Sequence, residues 1–250
     1  MSTTNNEFVK SSGSKLEKSY RLPSYLYLIY NLIGLTIGID AILTAIAREL
    51  PESLAQAGHF QFLTNISLVL TIITMISNIF FAIIPPPIKS LQTLNVYINA
   101  ISIVSETIVS TVYWGLKIFA RGLIVHELFP KERFMPLRLD LTVHLFPLVF
   151  LSIDYYLIRK KSFQIPSFNV FILLVVASGS YWAHLETLIV PPAVYPYPFL
   201  DVKPQQRAVV FLVIALLGLV FYHIYEFLQP IIQNILYKIE KELDNEKKDL

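Results

Sequence analysis

Six stretches of this chain are apolar over lengths that can cross about 30 Å of hydrocarbon, with short polar or proline-rich segments between them. They run roughly from Ser24 to Ala47, Phe60 to Ile84, Leu91 to Leu116, Leu137 to Ile158, Phe168 to Val190 and Arg207 to Leu228. The separators read as membrane-edge punctuation: Arg48 to Gly58, the Pro85-Pro86-Pro87 break with Lys89, the charged segment Lys117 to Arg138, Arg159-Lys160-Lys161, and the proline-rich Pro191 to Pro204. The pattern predicts an all-α, polytopic integral membrane protein of about six transmembrane helices. Residues 1–20 read as a disordered polar tail with no signal peptide, 21–230 as the transmembrane domain and 231–250 as a charged tail.

Composition supports the pattern: 54% of the 250 residues are hydrophobic, 15% are charged and the mean hydropathy is +0.57, far more apolar than a soluble domain of this length. A net charge of +2 argues against a nucleic-acid partner and leaves the placement of the basic residues as the informative quantity. An even number of spans puts both termini on one side. With that side cytosolic it carries 12 Lys and Arg against 8 on the other, an excess of the expected sign. The chain finishes Lys247-Lys248-Asp249-Leu250, which resembles the dilysine retrieval signal read by coat proteins on cytosolic tails. The expectation is therefore an endoplasmic reticulum membrane protein with cytosolic termini. The bland alternative for this segment is a solvated helix end, because acids and bases alternate from Lys238 to Lys248.

Polar groups in hydrocarbon cost free energy unless they are paired or face a cavity, so they are the first functional candidates. In the predicted topology Asp40, Thr64, Asn65, Glu106, Asp140, His144, His184 and Glu186 all fall in the luminal half, with His223 and Glu226 near the other end. Thr64 lies about 4 residues into the second helix and His144 about 7 into the fourth, which runs parallel to it. Their depths differ by roughly 5 Å, so contact is feasible. Asp140 and His144 are spaced i, i+4 and share a face, which lets a carboxylate orient the imidazole. Each has a structural reading beside the functional one. A membrane threonine commonly bonds its own i−4 carbonyl, Asp140 reads as interfacial, and the Tyr and Trp residues near the helix ends, including Tyr195-Pro196-Tyr197, read as aromatic belts. Gly34 and Gly38 form a small-xxx-small pair suited to close helix packing. The sequon Asn65-Ile66-Ser67 lies inside an apolar run, where glycosylation cannot reach it.

Four short motifs, taken in order, carry a resemblance: Phe62-Leu63-Thr64-Asn65, Val112-Tyr113-Trp114, Asp140 to Pro147 with its histidine, and Val194-Tyr195-Pro196-Tyr197-Pro198-Phe199-Leu200. Over about residues 20 to 230 the chain resembles the androgen-induced and androgen-dependent TFPI-regulating protein family. The resemblance implies six transmembrane helices, cytosolic termini and hydrolysis of fatty acid esters of hydroxy fatty acids by a threonine nucleophile and a histidine. On the matching positions these are Thr64 and His144, with Asp140, Asn65 and His184 as supporting candidates. A lipid ester is the implied substrate, and no cofactor or metal is required. The long polar N-terminal tail, the triple proline and the basic loop before the fourth helix depart from the animal members.

Other chemistry finds little support. There are no cysteines, no Gly-x-Ser-x-Gly elbow and no phosphate loop, and His126-Glu127 lacks the second histidine of a zinc site. For an oxyanion donor the sequence offers Asn65, Ser67 and Thr142 as candidates. The rival readings are a non-catalytic membrane scaffold and a small-solute transporter lined by Asp40, Glu106, His184 and Glu186. Clustering of these groups on one side of the midplane argues against the transporter, whose path should be polar throughout.

Overall fold

The computed structural model describes residues 20–84, 89–123 and 135–246. The polar tail up to residue 19, the triple proline, residues 124–134 of the basic loop, and Lys247 and Lys248 lie outside them. Among the described residues five helices are long and apolar enough to cross a membrane: α1 (Ser24–Ile46), α2 (Leu63–Ile83), α3 (Lys89–Phe119), α6 (Ser167–Leu188) and α7 (Pro204–Glu246). The sixth predicted span is a broken one, made of α4 (Leu137–His144) and α5 (Phe146–Ile153) with a π-helical turn at Asp154–Ile158, bent by 42°. The multi-pass architecture follows from the apolar runs, and the finer shape from what interrupts them.

Pro147 causes the break. It lacks the N–H that would bond the Val143 carbonyl, and its ring crowds the preceding turn, so Leu145 leaves helical geometry at φ −131° and ψ −44°. The His144 carbonyl accepts the Ser110 hydroxyl of α3 at 2.5 Å. A second proline has a different outcome. Pro230 sits inside α7, which was expected to stop near Leu228 but continues to Glu246. At 1.5 Å per residue its 43 residues extend roughly 65 Å, about twice the hydrocarbon thickness. Gln229 and Gln233 on either side of the proline donate to the carbonyls of Tyr155, Tyr156 and Arg159, which fastens the helix where its own bonding is weakened.

The small residues of α1 do what their spacing suggests. A Cβ on Gly34 would stand 2.3 Å from the Phe150 ring, and one on Gly38 would stand 3.2 Å from Ile72. Glycine at these positions lets α1 lie against both α5 and α2. Tyr30 stacks on Phe150 at 4.1 Å and donates its hydroxyl to the Phe150 carbonyl.

Between α2 and α3 runs a buried polar seam. On α2 it comprises Thr64, Ser67, Thr71, Thr74 and Asn78, at spacings of three and four that keep them on one face. On α3 it comprises Asn95, Asn99, Ser102, Glu106 and Ser110. Thr71 donates to Glu106 at 2.8 Å, Thr74 and Ser102 share a bond of 2.6 Å, and the Asn78 and Asn99 amides pair at 3.2 and 3.1 Å. At its far end the Arg159 guanidinium bonds Asp154, Asn78 and Asn99. The span from Thr64 to Asn78 is about 21 Å of helix. The expectation that intramembrane polar groups cluster on one side is therefore corrected: uncharged Asn, Ser and Thr, which a search for charged groups passes over, carry the seam through most of the membrane depth.

Candidate active site

Thr64 is the second residue of α2, and a rigid turn presents it. Gly58, at φ +70°, starts the turn, and the Gln61 side chain donates to the carbonyls of Leu54 and Gly58 at 2.7 and 2.8 Å. The Asn65 amide reaches back to the His59 carbonyl at 2.8 Å, and the Tyr181 hydroxyl donates to the Gln61 carbonyl at 2.7 Å. The first N–H groups of a helix have no partner within it. Here the Leu63 N–H donates to the Tyr197 hydroxyl at 3.1 Å, and the same hydroxyl lies beside the Thr64 side chain. Burial pushes the Tyr197 pKa up, against the opposing pull of the Thr64 and Leu63 groups, so the phenol keeps its proton.

A clamp holds the loop that delivers Tyr197. Arg207, at the start of α7, donates to the carbonyls of Leu200 and Val202 at 3.0 and 2.8 Å, pairs with Glu186 and stacks 3.9 Å over the Tyr195 ring. Tyr197 itself lies parallel to Phe199, with ring centroids 5.4 Å apart. Thr64 and Tyr197 line an open cleft, whose other walls are aliphatic and aromatic groups such as Val109, Tyr113, Tyr181 and Phe211.

His144 packs on Tyr113, one of these walls. The two rings are parallel within 2° at 3.4 Å. His144 Nδ1 is 2.9 Å from the Asp140 carboxylate and 3.1 Å from the Asp140 carbonyl. Two acceptors around one nitrogen fix the tautomer with the proton on Nδ1, which leaves Nε2 as the basic atom. Asp140 is 1% exposed, where the sequence suggested an interfacial position. It also accepts the Tyr113 hydroxyl and, one helical turn along α3, the Lys117 ammonium, which compensates its charge. Thr64 and Tyr113 thus line one cleft while His144 is stacked on Tyr113, and among the described residues no hydrogen bond joins Thr64 to His144.

A family comparison covers this whole assembly. The model of the FAR-17a/AIG1-like proteins matches residues 26–230, including every residue named above. The chain belongs to this family. It is 33% identical over 222 residues to a UPF0641 membrane protein of Saccharomyces cerevisiae, covering 84% of this chain and 92% of the relative. A UPF0641 membrane protein of Schizosaccharomyces pombe is 30% identical over 178 residues, covering 69% of this chain and 75% of the relative. No solved structure matches the chain.

The remaining sequence candidates of this family member sort differently. Asn65 is buried with its amide bonded to the His59 carbonyl, and half-buried Thr142 gives its hydroxyl to the Arg138 carbonyl. Ser67 is buried beside Glu106 in the seam. His184 lies at the surface of α6 with Nε2 3.1 Å from the Phe60 carbonyl, bracing the turn before α2. Asp40 is exposed on α1, and Glu186 belongs to the Arg207 clamp. Among the described residues no three His, Cys, Asp or Glu gather as a metal site. Tyr113, Tyr197 and Lys117 were missed as site residues. The two tyrosines lay inside quoted motifs, but their position near helix ends favoured an aromatic-belt reading.

Proposed function

We propose that this protein is an intramembrane lipid ester hydrolase with Thr64 as nucleophile and His144 as general base. The observation that carries the reading is that Thr64, at a helix N-terminus, lines the same apolar cleft as Tyr113, on whose ring an Asp140-bound histidine is stacked. His144 Nε2 takes the Thr64 proton as the alkoxide attacks the ester carbonyl, and returns it to the leaving alcohol. Water activated by the same nitrogen then hydrolyses the acyl-threonine. Asp140 holds the tautomer and stabilises the imidazolium. The Tyr197 hydroxyl supplies a hydrogen bond to the developing oxyanion, reinforced by the positive end of α2. For His144 to reach Thr64, the Tyr113 ring must yield when substrate enters, in keeping with catalytic bonds that tighten only in the substrate complex.

The decisive experiment is fluorophosphonate labelling of the membrane-embedded protein, together with hydrolysis of fatty acid esters of hydroxy fatty acids. Thr64→Ala should remove both, and Thr64→Ser should retain part of each. Labelling of Thr64→Ala at the wild-type rate would overturn the nucleophile assignment. One observation favours a second reading, a small-solute carrier: the polar seam with buried Glu106 and Arg159. Its two charged members are bonded within it, Glu106 by Thr71 and Arg159 by Asp154, Asn78 and Asn99, and the Thr64 cleft lies on another flank of α3, so the hydrolase reading is preferred. Solute uptake by vesicles carrying labelling-silent wild-type protein would reverse that preference.

A further inference from the structure

A second cleft, open at exposed Ala177, adjoins the first. The two share five wall residues, Leu63, Ile108, Tyr181, Phe211 and Ile214, but Thr64, Tyr113 and Tyr197 line only the first. The second reaches deeper into the bundle. Along α3 the combined lining runs from Tyr113 to Ile101, which is 12 residues or about 18 Å of helix. One leaflet of a bilayer is about half of the 30 Å hydrocarbon thickness, so the combined space has the depth of a single acyl chain lying parallel to the membrane normal.

The walls suit that occupant. Three small side chains, Ser105, Ala177 and Ala215, leave the width of the second cavity, and its base is aliphatic at Ile101 and Leu174. Ser178, which also lines it, has its hydroxyl committed to the Phe211 carbonyl at 2.8 Å and so offers no donor to a ligand. Where α6 and α7 close below, Gly218 seats Leu174 and Ile108. A Cβ there would stand 3.1 and 3.2 Å from their methyl groups. With one hydroxyl-bearing end and one aliphatic end, the two clefts have the polarity gradient of a fatty ester.

We propose that the second cavity is an acyl-chain subsite, holding one unbranched fatty acyl arm of the substrate between α3, α6 and α7 while its carbonyl lies at Thr64. This assignment rests on the hydrolase reading for the chemistry but not for the binding. Chain length is then read at the Ile101 and Leu174 end, and leucine at Ser105 shortens the site.

Two measurements test it. The first is photo-crosslinking of Thr64→Ala protein in vesicles with a hexadecanoyl ester carrying a diazirine near its terminal methyl. The expected adducts map to α3 around Ile101 and Ser105 and to α6 around Leu174, and competition by unlabelled long-chain ester removes them. The second is the ratio of kcat/KM for hexadecanoyl over butanoyl esters. Ser105→Leu should lower this ratio by about tenfold or more, whereas lipid-facing Val176→Leu should leave it unchanged. Adducts confined to lipid-facing residues such as Val176, or an unchanged ratio in Ser105→Leu, would overturn the subsite. Adducts in the cavity of a protein that hydrolyses no ester would keep the subsite and overturn the hydrolase reading.

Discussion

The Thr64 and Arg159 ends of the bundle both bury strongly polar groups, and they do so in opposite ways. At the Arg159 end the guanidinium reaches Asp154, Asn78 and Asn99, and the two asparagines bond each other and Asn31 or Asn95. Donors meet acceptors within the protein, and the result ties α2, α3 and the end of the broken span together. At the Thr64 end the groups are equally well positioned, but the Thr64 and Tyr197 hydroxyls face a cavity and His144 keeps one ring nitrogen free of Asp140. A buried polar cluster that satisfies itself is structure, whereas one that stops at an empty space has chemistry left to offer.

The sharpest way to break this comparison is to remove one group from each end. Thr64→Ala should lower ester hydrolysis by about a thousandfold or more, because the nucleophile acts as a unit with its base, while the thermal midpoint in detergent stays near that of the wild type. His144→Ala should be equally inactive, and the double variant no worse than either. Arg159→Ala should do the reverse in kind. It strands Asp154 in the interior and should cost about 3–5 kcal/mol, visible as a lower thermal midpoint and poor recovery from membranes. If Thr64→Ala were the unstable variant and Arg159→Ala the inactive but stable one, the roles assigned to the two ends would be exchanged.

A smaller effect separates catalysis from packing within the active end. Tyr197→Phe keeps the ring against Phe199 and removes only the hydroxyl. Loss of one oxyanion donor should lower kcat by about a hundredfold with little change in KM. A comparable loss confined to KM would make Tyr197 a wall of the pocket and leave the oxyanion without this donor.

What the sequence disclosed follows from which physical signals are local. Apolar run length located the spans, and i, i+4 spacing joined Asp140 to His144, because both signals lie within a single helix. Pro147 was in plain view inside the fourth run, yet the same residue type at Pro230 leaves α7 continuous. Whether a proline breaks a helix depends on partners such as Gln229 and Gln233, and these bind carbonyls more than seventy residues away. Tyr197 approaches Leu63 across 134 positions of sequence, and Tyr113 meets His144 from another helix, so neither contact leaves a periodic trace. The seam was more accessible. Thr64, Ser67, Thr71, Thr74 and Asn78 recur at helical spacing, but of these only Thr64 and Ser67 stood out, because each was weighed singly for chemistry rather than with its neighbours as one face.

The seam gives the smallest expected effect and the finest test of the comparison. Thr74 and Ser102 face each other at 2.6 Å in its middle, and each also lies within hydrogen-bond distance of the Leu70 carbonyl. If the seam only holds α2 against α3, replacing both hydroxyls together should be nearly neutral, since removing both partners leaves no donor stranded. Thr74→Val with Ser102→Ala should therefore change stability by about 1 kcal/mol or less and leave ester hydrolysis within about twofold. Either single change should cost more per hydroxyl than the pair, because it leaves a partner with fewer bonds. A double variant that folds normally but has lost hydrolysis would mean that the seam delivers something to Thr64, such as protons or water, and the self-satisfied half of the molecule would then belong to the site.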